Sequence, residues 1–291
     1  MSLMIPADLP ARQILEQEGL VILCKKQQSL SGHSLRILLL NLMPEKIKTE
    51  IQILRMLGKT SLLVELVLLT TVSYRSKHTP ASHINAFYTT WDKIAHEHFD
   101  GLIVTGAPIE TMAFEDVHYW QELTEVLDWA NDNVTSIFTL CWGGQAALYH
   151  WYGIPKHILP QKQFGLYEHA ITNHTSLLIK GMHSPFLIPV SRHSETRKED
   201  LLNHPTLSVV LESKEVGLCL IEDTARLRFF MFNHLEYDTY TLRDEYQRDL
   251  AVGKPTSLPY HYFPHDNPTY QPINLWHASG YHLFSNWLSI L

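Results

Sequence analysis

Arg36-Ile37-Leu38-Leu39-Leu40-Asn41-Leu42 is apolar on consecutive rather than alternate positions. A strand of that composition must be covered on both faces, which is the situation of a parallel sheet packed between helices. Apolar runs return at Leu62–Thr71, at Asp100–Thr105 and just before Cys141. Between the first two, Ile47, Ile51, Leu54 and Leu57 recur on one helical face. Pro44 opens that helix, where its missing N–H does no harm. A second helix is expected over Trp120–Trp129. Strand–helix alternation of this kind predicts an α/β fold: an open, mostly parallel sheet with helices on both faces and right-handed crossovers. After His150 the pattern loosens. Val209–Leu211, Gly217–Glu222 and Leu227–Phe232 read as shorter strands, expected as antiparallel strands at the edge of the same sheet. A last helix is expected over Tyr281–Leu291. Residues 1–34, punctuated by Pro6 and Pro10, are expected as an N-terminal arm with a short helix at Ala11–Gly19. Residues 35–291 are expected as a single domain.

Composition removes several function classes. A net charge of −7 gives no electrostatic support for a nucleic-acid partner. The longest apolar stretches, such as Leu35–Met43, are far too short to span a bilayer, so no membrane role is expected. The first residues lack a basic stretch followed by an apolar core, and no signal peptide is expected. Three cysteines, Cys24, Cys141 and Cys219, make an odd count without C-x-x-C spacing. That argues against a disulfide framework and suits a reducing cytoplasm.

Cys141 carries the first chemical signal. The apolar, β-branched-rich run Thr135–Leu140 stops at the thiol, and Gly143 and Gly144 are followed by good helix formers. Strand, sharp turn and helix place a side chain above the carboxyl edge of the sheet, the geometry of a nucleophile elbow. A helix N-terminus there favours the thiolate, the reactive form. The plain alternative is a small buried hydrophobe. A nucleophile needs a base, and His234 stands at the end of another apolar strand. In extended chain His234 and Glu236 share a face, so Glu236 is placed to orient the imidazole, and Cys141, His234 and Glu236 form a candidate triad. The backbone N–H of Trp142 and one from the Gly106-Ala107-Pro108 loop are candidates for an oxyanion hole. Glu110 follows that loop and is expected to face the site.

Asn41-Leu42-Met43-Pro44, Phe99–Pro108, Cys141-Trp142, Tyr167-Glu168-His169 and Tyr262-Phe263-Pro264-His265 together resemble the bacterial homoserine O-acyltransferases of the succinyltransferase type. These belong to the class I glutamine-amidotransferase-like superfamily, and the resemblance runs from about Pro6 to the C-terminus. It implies a flavodoxin-like sheet, a cytoplasmic homodimer, small-molecule substrates, no metal and no permanently bound cofactor. It also implies a ping-pong acyl transfer from a CoA thioester through Cys141, with His234 as base and Glu236 as third member. The family's acceptor-binding lysine falls on Lys162, its substrate-contacting serine on Ser191 and its substrate-binding arginine on Arg248. At the position of Glu110 a glycine goes with succinyl-CoA and a glutamate with acetyl-CoA, so acetyl-CoA is the expected co-substrate. His234-Leu235-Glu236 stands where His-Pro-Glu is usual, Asn233 where glycine is usual, and Gly143-Gly144 where larger residues are common. The segment Gln161–Glu215, which shapes the acceptor site, matches less well. L-Homoserine in methionine synthesis is therefore the expected acceptor, with L-serine in cysteine synthesis as the alternative, since a pocket separates one methylene by only ~1–3 kcal/mol. Succinyl-CoA as donor, and a cysteine amidase on the same scaffold, are the remaining alternatives.

Overall fold

The structure is a computed structural model that describes residues 2–23, 34–74, 76 and 78–291, and Cys24 lies outside them. The chain enters through β1 (Ser2–Met4), α1 (Ala11–Gln17) and β2 (Val21–Leu23). It continues through β3 (Leu35–Leu40), α2 (Lys46–Leu57), β4 (Leu63–Leu69), α3 (Ala81–Phe87), β5 (Tyr88–Thr89), α4 (Trp91–Ile94), β6 (Phe99–Val104), α5 (Trp120–Asn133), β7 (Val134–Leu140) and α6 (Trp142–Tyr152). The second half holds β8 (His157–Ile171), β9 (Phe186–Glu195), β10 (Leu207–Ser213), β11 (Gly217–Asp223), β12 (Arg228–Met231), α7 (Thr241–Ala251) and α8 (His277–Ser289).

One sheet runs β2-β1-β4-β3-β6-β7-β12-β11-β10-β8-β9, with β5 beside β4. Its first seven strands and β5 pair in parallel, whereas β12, β11, β10, β8 and β9 are joined by antiparallel ladders. This is the expected α/β architecture with antiparallel strands in the second half. The consecutive apolar residues of the central strands divide between two cores. Ile37, Leu39, Ile103 and Phe138 pack with Ile53 and Leu57 of α2 and Phe284 and Trp287 of α8. Leu38, Leu40, Leu102, Val104 and Ile137 pack with Leu123 and Leu127 of α5 and Ala146 and Leu148 of α6. All of these are fully or almost fully buried, which is why the strands show no polar alternation.

Three differences from the sequence reading have physical causes. Residues 1–34, expected as an arm, supply two strands to the sheet, because β1 pairs with both β2 and β4. At three residues each, these strands are too short to show periodicity. The segment after His150, where the sequence pattern loosens and no strand is expected before Val209, contains the 15-residue β8 and the 10-residue β9. β8 carries Gln, Lys, His and Glu, β9 carries Ser, Arg, His and Glu, and each strand has exposed and half-exposed positions that break the apolar pattern. Finally, the strand before His234 ends at Met231, so His234 and Glu236 lie on a turn and not in extended chain.

Candidate active site

Cys141 occupies the junction of β7 and α6 with φ 50° and ψ −121°. Positive φ in a non-glycine residue costs on the order of 1–3 kcal/mol and persists only where neighbours impose it. Here the Cys141 N–H donates to Met231 O at 2.7 Å, and Gly144 and Gln145 donate to Cys141 O at 3.0 and 3.2 Å. The turn also needs small residues. A Cβ on Gly143 would lie 2.5 Å from Thr105 O, and one on Gly106 would lie 3.0 Å from the Cys141 Cβ and 3.5 Å from Trp142 N. Gly106 thus borders the thiol and the first N–H of α6, and that N–H has no carbonyl one turn earlier to bond. Cys141 as a whole is 8% exposed.

His234 Nδ1 meets Glu236 Oε1 at 2.6 Å, and both side chains are buried. His234 N–H donates to Pro189 O on β9 at 2.9 Å, which fixes the start of the turn. Nε2 makes no directional hydrogen bond within the described residues, but the Cys141 thiol lies within interaction range of the ring. Burial alone would depress this imidazole. The Glu236 carboxylate and the Cys141 sulfur outweigh burial and hold its pKa up to about 10. Tyr237 stacks flat on the ring, with centroids 4.1 Å apart and planes 9° from parallel. Its carbonyl is fixed by Trp276 Nε1 at 2.7 Å and His277 Nε2 at 2.8 Å. Burial, with Glu245, Cys141, Glu236 and Glu110 adding, raises the Tyr237 phenol far above its ordinary value, so it stays neutral.

Glu110 is half-buried. Burial lifts its carboxyl above the usual carboxylate range against the pull of its own backbone N–H and of His193, with Glu245 adding to the rise and His234 opposing it. It thus interacts electrostatically both with His234 of the candidate triad and with Glu245 of α7, the centre of a second cluster. Lys162 Nζ meets Glu245 Oε1 at 2.8 Å and Asp249 Oδ2 at 3.6 Å. Ser191 Oγ lies 3.0 Å from each Glu245 oxygen. Arg248 Nη2 is 3.6 Å from Glu245 Oε1 and 2.9 Å from Asp249 Oδ1, with its side chain 63% exposed at the rim. Lys162, Ser191 and Arg248, expected from separate segments, thus converge on one carboxylate. Glu245 and Tyr237 escaped the sequence reading. Glu245 stands three residues before Arg248 on one helix face, a spacing that was open to notice. Tyr237 carried no local signal, because its contact depends on how the turn closes. Among the described residues no group of three or more His, Cys, Asp or Glu could hold a metal ion, and no helix is long and apolar enough to cross a membrane.

Residues 2–291 match the homoserine O-succinyltransferase family model. The chain belongs to that family. Membership makes the protein an acyltransferase. The chain is 45% identical over 290 residues to the homoserine O-acetyltransferase of a Geobacillus species, covering 99% of this chain and 96% of the relative. It is 43% identical to that of Allorhizobium ampelinum, covering 99% and 94%. In fold it is similar to a glutamine amidotransferase of Thermotoga maritima, with a TM-score of 0.59 at 10% identity over 89% of this chain and 98% of that one. A glutamine amido transferase of Methylobacillus flagellatus gives 0.54 at 14% identity over 90% and 96%. The sheet is thus of the class I glutamine-amidotransferase kind.

Proposed function

We propose that the protein is a homoserine O-acetyltransferase serving methionine synthesis, with Cys141 as nucleophile. The observation that carries this is the strained elbow: a thiol held at positive φ near an imidazole that is bonded at 2.6 Å to a buried carboxylate. The Cys141 thiolate attacks the acetyl-CoA carbonyl carbon. The N–H of Trp142, and one from the Gly106 loop, receive the developing oxyanion. CoA leaves as a thiol with the proton of His234. The acceptor hydroxyl then attacks the thioester, its proton passes to His234, and Cys141 is released. Glu236 holds the imidazole orientation throughout.

An amino acid brings a carboxylate and an ammonium. Arg248 and Lys162 suit the first, and Glu245 suits the second once Lys162 and Ser191 turn toward the ligand. Relatives named homoserine O-acetyltransferase over nearly their whole length support homoserine as acceptor and acetyl as donor. Glu245→Gln is expected to raise the homoserine KM by about 30-fold, more than it changes the acetyl-CoA KM. Steady-state kinetics with each substrate varied reads this, and an unchanged homoserine KM removes Glu245 from the acceptor site.

The donor follows from Glu110, a half-buried carboxyl coupled electrostatically to His234 and Glu245, which disfavours a second carboxylate near it. Acetyl-CoA is expected to exceed succinyl-CoA in kcat/KM, and Glu110→Gly to move the ratio about 100-fold toward succinyl-CoA. Competition between the two donors, with products identified by mass, decides this. A native preference for succinyl-CoA defeats the donor assignment. Glutamate release from glutamine without CoA-dependent transfer would point to an amidase instead.

A further inference from the structure

Ser191 and Arg192 are neighbours on β9 and face opposite ways. Ser191 meets Glu245, whereas Arg192 runs inward and is 2% exposed. Its Nε donates to Gln163 Oε1 at 2.9 Å, and its Nη1 to Leu218 O at 3.1 Å and Asn233 Oδ1 at 3.2 Å. Its Nη2 donates to Val216 O. All four acceptors are neutral, and within the described residues no carboxylate forms an ion pair with this guanidinium. Burying a charge without a counter-ion costs several kcal/mol, and an apolar side chain of similar volume would pack as well. The charge therefore calls for a role other than packing.

Asn233 supplies the link. It directly precedes His234 and is completely buried. Its Nδ2 meets His169 Nε2 at 2.7 Å, and His169 Nδ1 meets Tyr167 O at 2.9 Å. Burial keeps His169 neutral, its pKa lowered to about 4. The Tyr167 carbonyl can only accept, so the network assigns the His169 proton to Nδ1 and leaves Nε2 to accept from Asn233. With Arg192 donating to Oδ1, the Asn233 amide has one consistent orientation. The His234 N–H is tied to Pro189 O, so β9 grips the base-carrying turn at two points three residues apart. The field of Arg192 also reaches Cys141, Cys219, Glu195 and Tyr167.

We propose that Arg192, acting through Asn233, is a positioning residue that holds His234 against Cys141 and adds a buried positive charge to the field on that sulfur. The proposal rests on Cys141 and His234 being nucleophile and base. The groups facing His234 are Glu236, Cys141, Tyr237 and Glu110, and those around Arg192 are Cys141, Cys219, His169, Tyr167 and Glu195, all left in place by the variants below.

Alkylation of Cys141 by iodoacetamide across a pH series, located by peptide mass mapping, tests this without any acyl donor. Cys219 stays silent, because burial pushes its thiol up to about 12. Arg192→Met and Asn233→Ala are each expected to slow Cys141 alkylation about tenfold at neutral pH and to move its midpoint about one pH unit upward. Arg192→Lys, which keeps the charge without the fork, is expected to restore only part of the shift. If Arg192→Met does not fold, Asn233→Ala decides. A folded Asn233→Ala with wild-type rate and midpoint overturns the proposal, and so does a lowered Tm with an unmoved midpoint. Absence of acyl transfer by the wild-type protein counts against the proposed function and leaves the alkylation result standing.

Discussion

Cys141→Ala is expected to lower acyl transfer by about five orders of magnitude, with a folded protein and no burst of CoA on mixing with acetyl-CoA. The size of the effect follows from the route. Without sulfur there is no thioester intermediate, and the two half-reactions collapse into a direct attack of a weakly activated hydroxyl on CoA. The elbow backbone and its N–H groups survive, so binding and part of the oxyanion stabilisation persist as residual rate. Alanine keeps the Cβ and hence the positive-φ strain, so stability should change little. Stopped-flow detection of free CoA, paired with intact-protein mass for the acetylated enzyme, measures both consequences. Turnover within tenfold of wild type in the alanine variant would remove Cys141 as nucleophile.

Glu236→Gln is expected to cost about three orders of magnitude in kcat while changing KM little. Glutamine preserves shape and can still accept from Nδ1, but it removes the charge that supports the imidazolium. His234 is raised to about 10 in the folded protein from an ordinary value of 6.5. A raised pKa gives a stabilisation that is complete below the unfolded value and disappears as pH climbs through the folded one. The variant should therefore melt below wild type at pH 6, and the gap should narrow as pH approaches 10. Thermal melts at both ends, beside pH profiles of kcat, measure it. A Tm gap that widens with rising pH would mean that His234 is not held as a cation by Glu236.

The legible parts of this molecule are those where one residue's surroundings come from its own segment. β3, β6 and β7 announced themselves because burial on both faces leaves no polar positions. The elbow did so because an apolar strand, a cysteine and two glycines lie within ten residues. His234 was legible as a polar residue after an apolar strand, although the inferred route, a shared face in extended chain, is replaced by a turn. β8 and β9 were not legible, since their side chains serve three environments at once: the core, solvent and the acceptor cluster. Glu245 was missed for a related reason, although its spacing to Arg248 was open to notice. On α7 it reads as one more charge on a polar helix, and only the approach of β8 and β9 gives it Lys162 and Ser191 as neighbours. Lys162, Ser191 and Arg248 were found through family resemblance and not through any local pattern.

The sheet changes character at β12. The Cys141 thiol and the candidate oxyanion donors sit on its parallel half, and the candidate base His234 follows directly from the strand at the seam. The residues proposed to bind the acceptor, Lys162, Ser191, Glu245 and Arg248, come from β8, β9 and α7 beyond that seam. Reactivity and recognition are thus encoded in separable stretches of the gene. Under the proposed function, drift in the second half would retune which hydroxyl is acylated while the elbow remains untouched. The exception is β9, whose Arg192 face is bonded to the base-carrying turn. Substitutions that enlarge or shrink the acceptor pocket should be tolerated at alternate positions of this strand and resisted at those between, giving a two-residue rhythm of constraint that a saturation library would reveal.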